Sequence, residues 1–395
     1  MGAVEASITL RPGRERSVSR AHPWIFSGSI AAVDGEPAPG ETVAVRAADG
    51  TSLGRAAYNA ASKLRARMWT TDPGQRVDAD FVRGRIERAV ARRRYVVSGT
   101  DAVRLVYSEA DGVPGVVADR YADTVVVQLT TAAADLWSDV VLDALADLPG
   151  VARVHERSDT ESRHREGLLD RDGPRRGDAP PAEIMISEGP WRFAVNVATG
   201  HKTGFYLDQR RARSCLGTLA AGRSVLNVFG YTGAFTVVAA GSGATRVTTV
   251  DSSGPALAMA HRNAELNGVE VGELVEADAF SELRRLRDRG SSFDLIVLDP
   301  PKLAPSPAQV SKATRAYKDL NLLAAKLLSP GGILMTFSCS GAVSAELFQK
   351  VVAGAALDAR RELRIVERLG QPGDHPVPLH FPEAEYLTGL VLQAD

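Results

Sequence analysis

Cysteine is nearly missing from this chain: Cys215 and Cys339 are the two among 395 residues. Two thiols cannot build a disulfide framework or a four-cysteine zinc site, so a reducing, cytoplasmic setting without a metal centre is expected. Long apolar runs are missing as well. None approaches the roughly 18 residues of a membrane span, so no membrane partner is expected. The opening stretch MGAVEASITLRPGRER carries charge early and has no apolar core segment, which speaks against a secretory signal. Net charge is close to nil at −1, so the whole molecule does not attract a polyanion. No repeat of fixed period runs through the sequence. What is present is ordinary for a folded protein: 44% hydrophobic and 24% charged residues. That composition excludes extended disorder, and the length allows two or three domains.

Three segments differ in texture. Residues 1–75 read as a small β-barrel of short alternating strands between turns at Asp34-Gly35, Pro39-Gly40, Asp49-Gly50 and Pro73-Gly74. A hairpin is expected there, Thr42–Arg46 against Ser52–Tyr58. Residues 76–190 read as a small α+β domain. It opens with a helix over 78–98 that turns Val82, Ile86, Ala89, Val90 and Arg93 inward and Arg83, Arg85, Arg88, Arg92 and Arg94 outward. Strands in 103–129, a helix over 135–148 and a strand over 151–156 follow. Asp170–Pro181 reads as the clearest loop, and 184–197 as a hairpin about Gly189-Pro190. Residues 191–395 alternate strand and helix, with strands at 224–229, 246–251, 273–277, 295–299 and 332–338. This is an α/β pattern, a doubly wound parallel sheet. The β-rich middle segment could pair edges into a homodimer, though nothing in the sequence demands it.

In such a sheet, ligands bind outside the carboxyl ends of the strands. Four successive ends carry a signal. The first is Val225-Leu-Asn227-Val-Phe229-Gly-Tyr231-Thr232-Gly233, a turn whose glycines let backbone approach a ligand. Its Gly-x-x-Gly spacing is not the dinucleotide fingerprint. Asp251-Ser252 ends the second strand and suits a ribose hydroxyl pair. Asp278-Ala279-Phe280 follows the third and can bond and flank an adenine. Asp299-Pro-Pro-Lys302 ends the fourth, where the prolines hold Asp299 at the crevice. The series fits S-adenosylmethionine better than a nicotinamide. Glycines serving only packing, and an Asp299 that only caps its turn, remain the bland alternatives.

The fifth strand ends Thr336-Phe-Ser-Cys339-Ser-Gly341. A lone cysteine is normally a small buried hydrophobe, but this one is flanked by serines at the same sheet edge. Beside a methyl donor, a thiolate adding to C6 of a pyrimidine makes C5 nucleophilic, which is covalent catalysis. Asp299, if protonated, could donate to ring N3 as charge builds. Cys215, inside the helical run RARSCLGTLAA, reads as structural. Upstream, Gly200-His-Lys202-Thr-Gly-Phe205-Tyr206-Leu-Asp-Gln209-Arg210 offers cations for phosphate or for the donor's carboxylate, and rings for base stacking. A plain helix entry with Asp208 pairing Arg211 is the alternative. His375, Glu383 and Glu385 are weaker candidates for the same crevice. An RNA-facing surface is expected from Arg14, Arg16, Arg20, Arg65 and Arg67 together with Arg83–Arg94, and the target base would have to be unstacked.

The chain resembles the bacterial 23S ribosomal RNA cytosine-C5 methyltransferases with an N-terminal PUA domain. The resemblance runs through His22-Pro-Trp-Ile-Phe-Ser-Gly28, Glu109–Gly115, His201-Lys-Thr-Gly-Phe-Tyr-Leu-Asp-Gln-Arg210, Tyr231-Thr-Gly233, Asp299–Lys302, Tyr317-Lys-Asp319, Thr336–Gly341 and Asp374-His-Pro376. It implies a PUA barrel, a small α+β middle domain and a Rossmann-like methyltransferase domain. It also implies S-adenosylmethionine as donor, Cys339 as nucleophile, and 23S rRNA or a large-subunit precursor as partner. Gln209 is carried among the donor-binding candidates. Other RNA cytosine-C5 methyltransferases have a second Cys after the Asp-Pro-Pro motif; Lys302 stands there, as the family has it, and is a third catalytic candidate. Ala234 and Leu303 depart from the commoner Gly and Phe. Two other functions stay open at this stage: an RNA methyltransferase acting at guanine N7 or an exocyclic amine without a thiol, and a non-catalytic RNA-binding assembly factor.

Overall fold

The computed structural model describes residues 5–395, and the chain divides into two compact units. The first contains the chain through Ile186, with Val195–Leu207 and Gly373–Ala384. Its N-terminal sheet has six strands in the order Trp24–Ile25, Ala66–Thr70, Ser52–Tyr58, Thr42–Arg46, Ser7–Leu10, Ile30–Asp34. Alternation explains it. In Thr42–Arg46, Val43 and Val45 face inward and join Ile8, Leu10, Val18, Ile25 and Met68 in a core. The hairpin expected from Asp49-Gly50 pairs Thr42 with Ala57 and Val45 with Gly54.

A five-stranded sheet follows in the same unit, in the order Asp172–Arg176, Arg153–Arg157, Thr124–Leu129, Val116–Tyr121, Ala102–Tyr107. Helix Ala79–Val96 starts on an Asp78 side-chain cap to Phe81 N and buries Val82, Ile86 and Ala89 against it. Two sequence expectations change here. The helix over 135–148 is two helices, Ala132–Leu136 and Ser138–Ala146, broken at Trp137. Asp170–Pro181 is not a loop throughout: Asp172–Arg176 pairs antiparallel with Arg153–Arg157. Pro174 is tolerated because this strand lies at the sheet edge, where one side of its backbone needs no ladder partner. Arg175 pairs with Glu156, and Arg176 reaches Asp139 and Asp143, which anchors the strand. The hairpin about Gly189-Pro190 is present, Ile184–Glu188 against Trp191–Val195.

The second unit holds a seven-stranded sheet. Its strands are β1 Ser224–Val228, β2 Arg246–Asp251, β3 Glu273–Glu276, β4 Phe293–Leu298, β5 Leu328–Ser338, β6 Leu363–Leu369 and β7 Thr388–Ala394, in the order β3-β2-β1-β4-β5-β7-β6. The five expected parallel strands are all here. β1, β4 and β5 are nearly wholly buried, as a sheet covered on both faces requires. The sequence reading did not identify β6 and β7. β7 runs antiparallel between β5 and β6, pairing Ser338 with Thr388 and Leu369 with Gly389. No helix among the described residues is long and apolar enough to cross a membrane.

One buried charge cluster ties the first unit together. Arg67 bonds both Glu109 and Glu166, and Trp24 Nε1 donates to Glu109 at 3.2 Å. Burial pushes the Glu109 carboxyl up, but the Arg67 charge and the Ser108 hydroxyl outweigh it and hold the group below the ordinary carboxylate range. The ionised form therefore stabilises the fold above about pH 4.3, and this contribution is lost as pH falls through the depressed folded value. Glu109→Gln is expected to cost about 3–5 kcal/mol near neutral pH. The difference from wild type should shrink in acid, checked by urea unfolding at neutral pH and below the carboxylate range.

Candidate active site

Strand order reverses between β1 and β4, which opens a crevice at the carboxyl edge of the sheet. Register brings the loops there to one level: Val228 pairs with Val250 on one side and Leu298 on the other, and Leu298 with Thr336. Phe229, Asp251 and Asp299 therefore leave their strands side by side.

The turn after β1 is strained. Phe229 and Tyr231 hold φ of 64° and 45° and Gly233 78°, a left-handed region that costs side-chain-bearing residues about 1–2 kcal/mol each. A Cβ on Gly233 would lie 2.5 Å from Ala260 Cβ, and one on Gly230 2.3 Å from Thr249 Cγ2. Asp251 holds the turn down: its carboxylate accepts from Tyr231 N at 2.8 Å and Ser253 N at 2.9 Å. Beneath, Asn227 Nδ2 donates to Thr236 Oγ1 at 3.0 Å, and Thr236 meets Thr249 at 2.7 Å. The Asn227 Oδ1 atom is buried without a hydrogen-bond partner among the described residues, as is Gln209 Oε1. Asp278 caps helix Ala279–Asp288, accepting from Ser281 N and Ser281 Oγ, both at 2.9 Å; Phe280 beside it is half-buried. Ser252 is exposed and Thr232 half-buried at the same edge.

Cys339 follows β5, half-buried, with Sγ 3.8 Å from the Pro300 carbonyl in the loop after β4. Ser338 and Ser340, either side of it, turn away to the buried Tyr317 hydroxyl, at 3.0 and 3.1 Å. Asp299 is half-buried and Lys302 exposed. Tyr317, quoted in the sequence only within the motif Tyr317-Lys-Asp319, is the residue at this edge to which the reading of single positions gave no role. The signal was a hydroxyl on the otherwise apolar helix face of Ala313, Leu320 and Ala324, where a buried phenol needs a partner. Thr336 also carries a buried hydroxyl without a partner among the described residues. Cys215 differs from Cys339. Burial and the nearby Glu367 carboxylate, 3.5 Å away, push its thiol up to about 11, which keeps it protonated and inert.

Several candidates belong to the first unit or are otherwise engaged. Lys202, Phe205 and Tyr206 belong to the first unit, on Val195–Leu207. Phe205 is only 4% exposed, which removes it as a stacking surface; Tyr206 stays partly open, with Lys202 Nζ 4.3 Å above its ring. Arg210 lies 3.6 Å from Glu188. Arg211 pairs with Glu367 and Asp208 accepts from Tyr386, so the Asp208–Arg211 pair of the alternative reading is not formed. His375 is buried against Asp374 at 3.0 Å, and Glu383 meets His22 at 3.1 Å, all within the first unit. Glu385 falls in the second unit and is exposed. Arg14, Arg16 and Arg20 are exposed on and beside helix Glu15–Ser19, with no ion pair among the described residues. The Arg65 guanidinium bonds the Ala60 carbonyl. Arg67 is neutralised by two buried carboxylates and is no cation for RNA. On helix Ala79–Val96, Arg93 is buried on Asp111, and Arg83 and Arg92 pair with Asp147 and Asp111. Arg85 packs over Phe81 and bonds Trp69 O. Arg88 and Arg94 have no ion pair among the described residues, and Tyr95 beside them is 90% exposed.

Comparison with known proteins supplies the context. Residues 177–390 match the model of an S-adenosylmethionine-dependent methyltransferase family and residues 8–71 a PUA-like domain. A ribosomal RNA large subunit methyltransferase I of Shewanella denitrificans is 49% identical over 390 residues, covering 97% of this chain and 98% of its own. Its namesake in Aeromonas salmonicida is 45% identical over 391 residues, 98% and 99% of the two chains. A structure from Streptococcus mutans assigned to the SAM-dependent methyltransferases superposes with a TM-score of 0.84 at 21% identity, over 98% of this chain and 99% of that one. A methyltransferase structure complexed with SAH gives 0.86 at 22% identity over the same shares. At those identities the two structures speak for the fold alone.

The crevice fits such a donor by its own features: an orphaned amide oxygen at Asn227 and a fixed carboxylate at Asp251, beside a turn whose Gly230 and Gly233 are packed too tightly against Thr249 and Ala260 to carry a Cβ. Asp251→Ala leaves two turn amides unpaired. Calorimetry with S-adenosylhomocysteine is expected to show binding weaker by about ten- to a hundredfold, in line with losing charge-assisted hydrogen bonds. Binding within twofold of wild type would remove Asp251 from the donor site.

Proposed function

The chain belongs to the ribosomal RNA large subunit methyltransferase I family of S-adenosylmethionine-dependent methyltransferases, and from that premise we propose that it methylates a cytosine at C5 in 23S rRNA or its precursor through a covalent adduct on Cys339. The observation that carries this reading is a half-buried thiol at the donor edge of the sheet, aimed at the Asp299-Pro-Pro-Lys302 turn.

We assign the donor site to Asn227, the turn Phe229–Gly233, Asp251-Ser252, Asp278–Phe280, Asp299 and Gln209. When bound, S-adenosylmethionine supplies an electrophilic methyl group for the base and leaves as a thioether. The residues of this chain prepare the base. The Cys339 thiolate adds to C6, and the C5–C6 electron pair becomes nucleophilic at C5. Asp299 donates to ring N3 as charge builds there, and Lys302 stands across the two prolines to hold developing charge. Loss of the C5 proton to solvent restores the double bond and expels the sulfur. The base must leave its stack for C6 to be reached.

Phosphate contacts fall to Arg14, Arg16 and Arg20 on the PUA-like domain and to Arg88 and Arg94 on helix Ala79–Val96, with Tyr95, Tyr206 and Lys202 as further contacts. Burial, and after it the charges of Arg88 and Arg92, pull Arg85 below its ordinary value. A cytoplasmic enzyme follows from the substrate.

Cys339→Ala is expected to abolish methylation of 23S rRNA while binding S-adenosylhomocysteine as wild type does. RNA containing 5-fluorocytosine should trap a covalent complex with wild type only. Full turnover in the variant would favour a guanine N7 or exocyclic-amine enzyme, and no donor binding by wild type would favour a non-catalytic assembly factor. Replacing Arg14, Arg16 and Arg20 together with Ala should reduce the slope of log affinity against log salt by about 2–3, from roughly 0.7–0.9 per phosphate contact. An unchanged slope would move the RNA face elsewhere.

A further inference from the structure

The group closest to organising the proposed nucleophile belongs to neither loop of the crevice. Tyr317 lies mid-helix in Val310–Leu327, its ring wholly buried edge-on against Phe348 at 5.3 Å. Its hydroxyl is the hub of a set of buried hydrogen bonds. Ser338 Oγ donates to it at 3.0 Å, and it meets Ser340 Oγ at 3.1 Å. Ser340 Oγ in turn accepts from Ala304 N at 3.1 Å. One phenol thus grips the loop after β5 at two points and, through Ser340, the loop that begins at Asp299.

Two bonds set the consequence. Ser338 is the last residue of β5, and Cys339 and Ser340 follow it. With Ser338 and Ser340 both drawn to Tyr317, the residue between them carries its sulfur to 3.8 Å from Pro300 O instead. Both serines are about 1% exposed, so no water competes for their hydroxyls. Burial pushes the Tyr317 phenol above its ordinary value; the serine hydroxyls oppose this, and charge at Cys339 adds to it. The strut stays neutral while the thiol changes charge.

We propose that Tyr317 is a positioning residue for Cys339, clamping Ser338 and Ser340 so that the intervening thiol is held against the Asp299-Pro-Pro-Lys302 turn. The proposal rests on Cys339 being the nucleophile. It concerns no atom of donor or base: Tyr317 acts through the two serines, and a misplacement of about 1 Å at a reacting group is enough to cost roughly a hundredfold in rate.

The test follows the rate of covalent trapping on RNA containing 5-fluorocytosine, alongside kcat, KM and S-adenosylhomocysteine affinity. Tyr317→Phe should slow trapping and lower kcat at least tenfold, with KM for RNA and affinity for S-adenosylhomocysteine within about twofold of wild type. Because the phenol works through the serines, the losses must not add: Tyr317→Phe placed on the Ser338→Ala, Ser340→Ala background should slow trapping no further. That background also serves as the readout if Tyr317→Phe does not fold, since it should then show the same kcat loss with KM unchanged. Wild-type trapping with an undiminished rate in Tyr317→Phe overturns the proposal, as do losses that add. No adduct with wild type overturns the Cys339 reading itself, and the positioning role with it, so the two failures are told apart by the wild-type arm.

Discussion

Everything chemical in this protein depends on parallel strands ending together. In the second unit, Val228, Val250 and Leu298 sit in one hydrogen-bonded row, with Thr336 in register beside them. A parallel ladder does not let one strand slip without turning its side chains to the wrong face, so the loops that follow are locked to a common edge. The reversal of order between β1 and β4 then leaves space at that edge instead of a crossing connection. A strained glycine turn, a fixed carboxylate and a thiol come to one edge of the sheet there although more than a hundred residues separate the first from the last.

The edge is rigid for local reasons. Asp251 ties down the turn after β1 by accepting from Tyr231 N while it accepts from Ser253 N in its own loop. The loops after β4 and β5 are tied to each other through Ser340, which is bonded both to Ala304 N and to Tyr317. These bonds are buried or nearly so, where an unmade hydrogen bond is costly, so each loop has one conformation in which its polar groups are satisfied. Left-handed φ at Phe229 and Tyr231 is sustained in this way.

The first unit uses charge differently. Its arginines are numerous, but Arg67, Arg93 and Arg163 are consumed internally by Glu109 and Glu166, by Asp111, and by Asp135. Cations without an ion pair among the described residues include Arg14, Arg16 and Arg20 at a short-helix surface and Arg88 and Arg94 on the outer face of Ala79–Val96. A nearly neutral chain can therefore still present positive surface, because its acids are spent inside the fold or on other faces.

The sequence by itself determined the α/β pattern, the five parallel strands, the turn residues of the glycine-rich loop and the place of Cys339 after the fifth strand. Hydrophobic period and Gly/Pro punctuation are local properties, and they survive without knowledge of neighbours. It did not disclose β6, whose mixed burial at the sheet margin blurs the period, nor β7, the antiparallel strand between β5 and β6, nor the edge strand Asp172–Arg176, whose Pro and Gly imitate a loop. Among charged and aromatic residues composition misled more. Arg67 and Phe205 read as contacts for RNA, yet one is buried on Glu109 and Glu166 and the other packed within the first unit. Tyr317 shows why: a side chain's role is set by what meets it across the fold, and the serines it holds lie 21 and 23 positions away. Which groups are spent on one another, and which stay free for chemistry, only the tertiary structure decided, because pairing is a property of distance and not of order along the chain.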